Sequence, residues 1–270
     1  AAAELHLTAS AISHQVARLE SHLDVRLFER SAHGVRLSTA GERYLARVGG
    51  ALSAITSATD DLRHGVSNSL YVHSSPSVAI LWLMPRLRDF AQSHPDISLN
   101  LSAAHTPSDF ALGQADIDIR YGVPQWPHLE VEPLFEESIV PLASPAFIDE
   151  HRLERPEQLR DLPLIQSNVS VVQWSDWLAA FTDLRAPDRF SLRMDRALMS
   201  IDAAAQGLGV ALESATIAGR HIDDGKLRPV FGLDKAIKVK PHFAVYPARH
   251  AKRPPVQAFL AWLHRAAAST

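Results

Sequence analysis

The chain has 270 residues, 46% of them hydrophobic, enough to fill the cores of two or three domains. Its formal charge is −3 (27 basic against 30 acidic residues), and residues 1–65 hold seven Arg against seven acidic residues, so any nucleic-acid affinity must come from local placement, doubled in a dimer, and not from bulk charge. The absence of cysteine excludes thiol redox chemistry, disulfides and Cys-based zinc sites and fits a cytoplasmic protein, and the longest apolar run, residues 78–84, is far too short to span a membrane.

Residues 8–20 read as one helix with two unlike faces. Ile12, Val16, Leu19 and Leu23 recur at spacings of 4, 3 and 4 and form one apolar stripe, while Ser10, Ser13, His14 and Arg18 gather on the opposite side. Thr8 or Ser10 can cap its start, and residues 1–7 read as the end of a preceding helix. Two short helices joined by a tight turn, the second polar on its outer face, suggest a helix-turn-helix DNA reader; an ordinary amphipathic surface helix shares the periodicity. Thr8, Ser10, Ser13, His14, Gln15 and Arg18 are its candidate contacts, since hydroxyls, imidazole and guanidinium bond phosphates and base edges.

Residues 24–38 then suggest two short strands around a Gly-containing turn, which after a recognition helix makes a wing, with Arg30, His33 and Arg36 placed for phosphates. From Ser38 to about Gly65 the pattern is helical. Leu45, Val48, Leu52, Ile55, Thr59 and Leu62 follow spacings of 3, 4, 3, 4 and 3, a heptad seam with Arg43, Arg47, Asp60, Asp61 and Arg63 off it. That seam predicts a dimerising linker helix, although a helix packed on its own domain also needs an apolar stripe. Gly49 and Gly50 weaken it by roughly 1 kcal/mol each, and residues 64–68 read as a polar hinge.

From Ser69 strands and helices alternate, the mark of an α/β fold. Strands are expected at residues 70–73, 97–103, 115–122, 139–143, 164–165, 190–194 and 238–246. Residues 74–77 read as a turn. Helices are expected at 78–93 with a kink at Pro85, around Trp174 and Trp177, and at 198–206 and 256–264.

Ala1, Ala2, Leu5, the run 8–14, Leu19, Glu20, Leu27, Phe28, Arg30, Leu37, Ser38, Ala40 and Gly41 resemble, in order, the amino-terminal signature of LysR-type transcriptional regulators. Ala9 stands where many members carry a base-reading Gln, and the chain begins where they already have a first helix, so that helix is expected to be missing. The remainder resembles the effector-binding domain of the same family, closest to the branch of the glycine-cleavage and β-lactamase regulators. The residues that carry this are 82–87, Phe90, His94, Pro95, 116–122, Trp126, Pro127, Leu134, Phe135 and 203–211.

The resemblance implies a winged helix-turn-helix (residues 1–37), a long linker helix (38–66) and a two-subdomain α/β domain of the type 2 periplasmic-binding-protein fold. The last covers residues 69–270, with subdomain I at 69–137 and 239–270 and subdomain II at 138–238. Its implied partners are double-stranded promoter DNA, a small-molecule effector, and a second copy through the linker helix, with a homotetramer beyond that and no membrane. Ligands in such folds sit where strand ends meet helix starts in the cleft. Ser74, Ser75, Pro76 and Ser77 are the leading candidates, because hydroxyls and free N–H groups at a helix start suit a carboxylate; alternatively they only cap the helix. Arg120, Tyr121 and Gly122 end a strand facing the same cleft, where Arg120 pairs with a ligand carboxylate or with a neighbouring Asp. Gln166, Ser167 and Trp174 are candidates for the opposite wall, Trp174 equally for the core, and Ile201 is a weaker candidate beside Ser200 and Asp202.

No enzymatic constellation is present. Gly207 and Gly209 begin a dinucleotide fingerprint, but Leu212 occupies the third glycine position, and there is no Gly-x-Ser-x-Gly elbow, phosphate loop or His-Glu-x-x-His motif. The fourteen histidines have no clustered metal-ligand spacing. A catalytic role, a cofactor and a metal are therefore not expected. The competing reading is a two-lobed solute-binding protein without DNA function, which accounts for the second half of the chain but not for the first.

Overall fold

The computed structural model describes residues 8–31, 34–64 and 68–269. The chain falls into two compact units, residues 1–67 with 111–114 and residues 68–110 with 115–270.

In the amino-terminal unit α1 (Ala9–Leu23) starts on Thr8, whose extended backbone and hydroxyl, accepting from the N–H of Ala11 at 3.2 Å, form the N-cap. Asp24 ends the helix in the left-handed conformation (φ 51°). One carboxylate oxygen of Glu20 then accepts from the N–H groups of Leu27 (2.7 Å) and Phe28 (2.9 Å), fixing the turn into the hairpin. That hairpin pairs β1 (Phe28–Ser31) antiparallel with β2 (Gly34–Leu37). Ser38 caps α2 (Thr39–His64) by accepting from the N–H of Gly41 at 3.0 Å. A Cβ on Gly41 would stand 2.1 Å from the carbonyl oxygen of Leu27, so only glycine lets α2 approach the hairpin this closely. Along α2 the seam residues Leu45, Leu52 and Ile55 are more than half exposed. Leu62's side chain, residues 1–7, His33 and the hinge residues 65–67 lie outside the described residues.

The second unit opens with β3 (Ser69–Ser74) and a helical run: α3 (Pro76–Val78), a π turn (Ala79–Leu83), a 3-10 turn (Met84–Arg86) and α4 (Leu87–Ser93). No separate turn intervenes after β3. Pro85 has no N–H to donate and its ring crowds the carbonyl one turn back. The kink expected there is taken up as a change of helix type, with the N–H of Met84 reaching back to the oxygen of Ala79.

The elements that follow are β4 (Ser98–Ala103), β5 (Ile117–Tyr121), β6 (Glu130–Pro133), β7 (Glu137–Ala143), α5 (Pro145–His151), β8 (Leu164–Ser167), α6 (Trp174–Phe181), β9 (Leu192–Met194) and α7 (Ala197–Ala205). They end with β10 (Val210–Ser214), α8 (Gly219–Asp223), β11 (Arg228–Pro229), β12 (Ile237–Val239), β13 (His242–Tyr246) and α9 (Pro254–Ala268).

Two sheets result. The first has the order β4-β3-β5-β13-β6, and the second the order β11-β7-β10-β8-β9 with β12 also on β7. The chain crosses from the first lobe to the second between β6 and β7 and returns between β12 and β13. Residues 238–246, expected as one strand, are therefore two strands in different sheets. Pro241, which cannot donate to a ladder, lies between them. The largest apolar cluster includes Trp82, Phe135, Phe259 and Trp262 of the first lobe with Val140, Leu142, Ile165 and Ile201 of the second. A second cluster around Trp174 and Trp177 belongs to the second lobe. No helix among the described residues is long and apolar enough to cross a membrane.

Candidate functional site

On α1 Ile12, Val16 and Leu23 of the apolar stripe are partly buried and Leu19 is exposed, while Ser10, Ser13, His14, Gln15 and Arg18 are exposed. Thr8 spends its hydroxyl on the cap. Arg36 lies across the hairpin from Glu29 and donates to its carboxylate from Nε (3.0 Å) and Nη2 (2.7 Å). Both side chains are well exposed, so this pair is weak and a phosphate can compete for the guanidinium. Arg30 is in β1, and its side chain lies outside the described residues.

Between the two lobes lies a cavity of about 330 Å³. The first lobe supplies Ser75, Pro76 and Ser77 from the start of the helical run, Arg120 and Tyr121 from the end of β5, and His242 from β13. The second supplies Glu137 from β7, Ser167 and Ser170 from β8 and its loop, Arg196 ahead of α7, and Glu213 from β10. Ser75 stands at the N-cap position of α3, but its hydroxyl makes no capping bond, so capping alone does not account for it. Several hydrogen bonds tie the lobes around this space, His242 Nε2 to Glu137 among them. Ser77 Oγ accepts from the N–H of Leu198 (3.1 Å), the Tyr121 hydroxyl accepts from the N–H of Val171 (3.0 Å), and His105 Nε2 lies 2.8 Å from the carbonyl oxygen of Asp195.

Of the two partners expected for Arg120, the neighbouring Asp is in contact with it. Its Nε donates to Asp118 Oδ2 at 3.0 Å, and its guanidinium lies over the rings of Phe110 and Trp126. The same Asp118 oxygen accepts from the N–H (2.9 Å) and hydroxyl (3.0 Å) of Ser108, which satisfies a carboxylate that is 2% exposed.

Five expected residues do not line the cavity. Ser74 is buried and donates to the carbonyl of Ser75. Gly122, at φ 126° where side chains are strained, gives its N–H to the carbonyl of Pro241 (2.8 Å) at the lobe crossing. Gln166 is turned to the carbonyl of Ser167 (2.6 Å) and to Gln173. Trp174 is core, its indole N–H bonded to the carbonyl of Ile165 (2.9 Å), and Ile201 is fully buried in the apolar cluster.

The groups that sequence reasoning missed are the charged ones. Glu137 and Glu213 are both almost wholly buried. His242, equally buried, sets Nε2 2.9 Å from Glu137 and stacks on Phe135. Glu213 has no such partner. Its Oε1, like the Ser167 and Ser200 hydroxyls near it, is buried without a hydrogen bond of normal geometry among the described residues. Burial, with Glu137 adding to it, pushes the Glu213 carboxyl up to about 8 against the pull of those two hydroxyls. Burial foremost, then Glu137, raises the Tyr121 hydroxyl well above its ordinary range, so it stays a phenol. The signal for Glu213 was a lone carboxylate inside a strand otherwise suited to the interior.

A family model described as the bacterial regulatory helix-turn-helix protein of the LysR family matches residues 1–42, and one described as the LysR substrate binding domain matches residues 63–268. The chain belongs to the LysR family of DNA-binding transcriptional regulators. Among its relatives is the HTH-type transcriptional regulator PerR of Escherichia coli, 38% identical over 97% of this chain and 88% of that protein. The glycine cleavage system transcriptional activator of E. coli is 30% identical over 100% and 88%. The effector domain of the regulator AmpR of Pseudomonas aeruginosa superposes with a TM-score of 0.66, at 29% identity over 74% of this chain and 96% of that one. The LysR-type regulator CrgA of Neisseria meningitidis, at 22% identity and a TM-score of 0.63 over 98% and 91%, shares the fold.

Proposed function

We propose that the protein is a cytoplasmic regulator that reads double-stranded promoter DNA with Ser10, Ser13, His14, Gln15 and Arg18 of α1. Arg30 and Arg36 of the wing, with the backbone around Thr8, hold flanking phosphates. The chain pairs through the exposed seam of α2 into a homodimer and assembles further into a homotetramer. A small carboxylate-bearing effector occupies the interlobe cavity and modulates promoter binding. Residues 1–37, 38–66 and 69–270 divide these tasks.

The observation that carries this reading is the cavity itself. It opens onto Ser75, an unspent hydroxyl at a helix start, and both lobes wall it. Backbone N–H groups of the first helical turn have no partner within the helix and favour an anion. A ligand touching both lobes binds one lobe arrangement better than another, and through the dimer that preference becomes a preference for half-site spacing. A solute-binding protein without DNA function has no use for the helix-turn-helix that residues 1–42 match.

Thermal-shift screening of small carboxylates with the full chain tests the effector, because a ligand of the folded state raises the transition temperature. A hit whose affinity falls in Ser75→Ala supports the site, and an unaltered calorimetric affinity moves it elsewhere. Ser77→Ala is the less clean variant, since it also removes the acceptor of the Leu198 N–H. Promoter DNA binding that weakens steeply with salt is expected of the same preparation, and salt-independent binding contradicts the DNA assignment.

A further inference from the structure

The cavity is chemically lopsided in a way that a carboxylate alone does not use. On the second lobe Glu213 and Ser167 line it, 4% and 3% exposed; Glu213 Oε1 and Ser167 Oγ make no hydrogen bond of normal geometry among the described residues, although the Ser167 and Ser200 hydroxyls stand close enough to act on the carboxyl. Native proteins rarely leave buried acceptors unmatched, because each forfeits its bonds to water without replacement. The other carboxylate of the cavity, Glu137, is answered by His242. Glu213 has the Ser167 and Ser200 hydroxyls beside it but no paired cation or imidazole among the described residues.

We propose that Glu213, with Ser167 beside it, receives a protonated amine of the effector, whose carboxylate lies toward Ser75. The effector is then a dipolar molecule bearing both groups. This deepens the effector reading above and rests on it.

Two features of the surroundings support an ammonium over a neutral donor. Glu137 lies close enough to act electrostatically on Glu213, so a cation is favoured by both carboxylates at once. The Ser167 hydroxyl of β8, which lines the cavity, has lone pairs suited to a further ammonium hydrogen. The charged and titratable groups that line the cavity with Glu213 are Glu137 from β7, His242 from β13, Asp118, Arg120 and Tyr121 from β5, His73 from β3, His105 after β4 and Arg196 ahead of α7. Burial, with Glu137 adding to it, holds the Glu213 carboxyl protonated up to about pH 8. An ammonium reverses that preference, so its arrival drives the carboxyl proton out to solvent and no charge is stranded.

The test uses the full chain and matched triples of probes: amino acids of both hands, the amines left by removing their carboxylates, and the acids left by removing their amino groups. Thermal shift and calorimetry are read for the wild type, Glu213→Gln and Ser75→Ala. The expected result is that amino acids stabilise most, that Glu213→Gln lowers their affinity at least tenfold, and that this variant leaves the matched acids unaffected. Affinity of the amino acids should rise between pH 6 and pH 8, with proton release visible in buffers of different ionisation enthalpy. Acids that bind as tightly as their amino counterparts, with Glu213→Gln silent, overturn the ammonium site while leaving the effector cavity standing. Binding that survives Ser75→Ala but not Glu213→Gln moves the carboxylate end alone. No shift from any amine-bearing probe overturns this inference, and silence from the acids as well overturns the carboxylate reading with it.

Discussion

The polar residues of α1 and those of the interlobe cavity differ in almost every physical respect. On α1 the candidate DNA contacts come from one continuous segment and stand in water, with Thr8 tied to the fold through its cap. In the cavity they come from strands and loops far apart in sequence and are mostly buried, many of them already bound to one another: Asp118 to Arg120, His242 to Glu137, Ser77 to the backbone at Leu198. The exposed face costs the fold little and can be tuned residue by residue. The buried set is part of what holds the lobes, so recognition and stability cannot be separated there. Substitutions in the two regions should therefore fail in different ways.

The largest effect is expected from Asp118→Ala. It leaves Arg120 buried without its carboxylate and removes the acceptor of the Ser108 N–H, so the carboxy-terminal unit should lose about 3–5 kcal/mol in urea unfolding. A loss under 1 kcal/mol would mean that the cavity is no more structural than α1.

Next in size is a pH effect at Glu213. Its carboxyl titrates near 8 when folded and near its ordinary value of 4.5 when unfolded. Its stabilisation is therefore complete below about pH 4.5, lost progressively up to about 8 and constant beyond. Glu213→Gln should gain on the wild type across that window and hold its advantage above it. An advantage that shrinks as pH rises reverses the assignment.

Arg18→Ala should weaken promoter binding by about 1–3 kcal/mol and flatten its salt dependence, with no change in melting temperature. Lost stability with intact DNA binding would place Arg18 among the structural residues instead. Smallest is Thr8→Ala, which deletes the cap of α1 and should cost its unit about 1 kcal/mol, measurable by circular dichroism.

The same contrast explains what was legible in the sequence. The two faces of α1, the hairpin and the α2 stripe follow from spacings within single segments, because local periodicity determines which side of an element is buried. Ser75, Ser77, Arg120, Tyr121 and Ser167 could be placed at the cavity because each stands at a strand end or helix start, where such folds bind ligands. Glu137, Glu213 and His242 could not, since nothing in a linear string shows that three strands bring them to one space. Trp174 and Ile201 carry the opposite lesson: position near a cleft does not decide direction, and their apolar surface is buried in the core. Pro241 was readable as a strand breaker, yet residues 238–246 still alternate well enough to hide the passage between lobes.

That passage has a mechanical consequence. The lobes are joined covalently at two places only, residues 134–136 and 240–241, and the second lies beside the Tyr121–His242 strand pairing. The two straps run side by side, the N–H of Leu134 donating to the carbonyl of His242 at 3.0 Å, and so mark the line about which the lobes would turn. Were the effector dipolar as proposed, Ser75 and Glu213, which both line the cavity, would act as the tips of a caliper. Under the dipolar assignment, the distance between an effector's charged ends is converted into an angle between lobes. A molecule too short to touch both tips occupies the space without being measured.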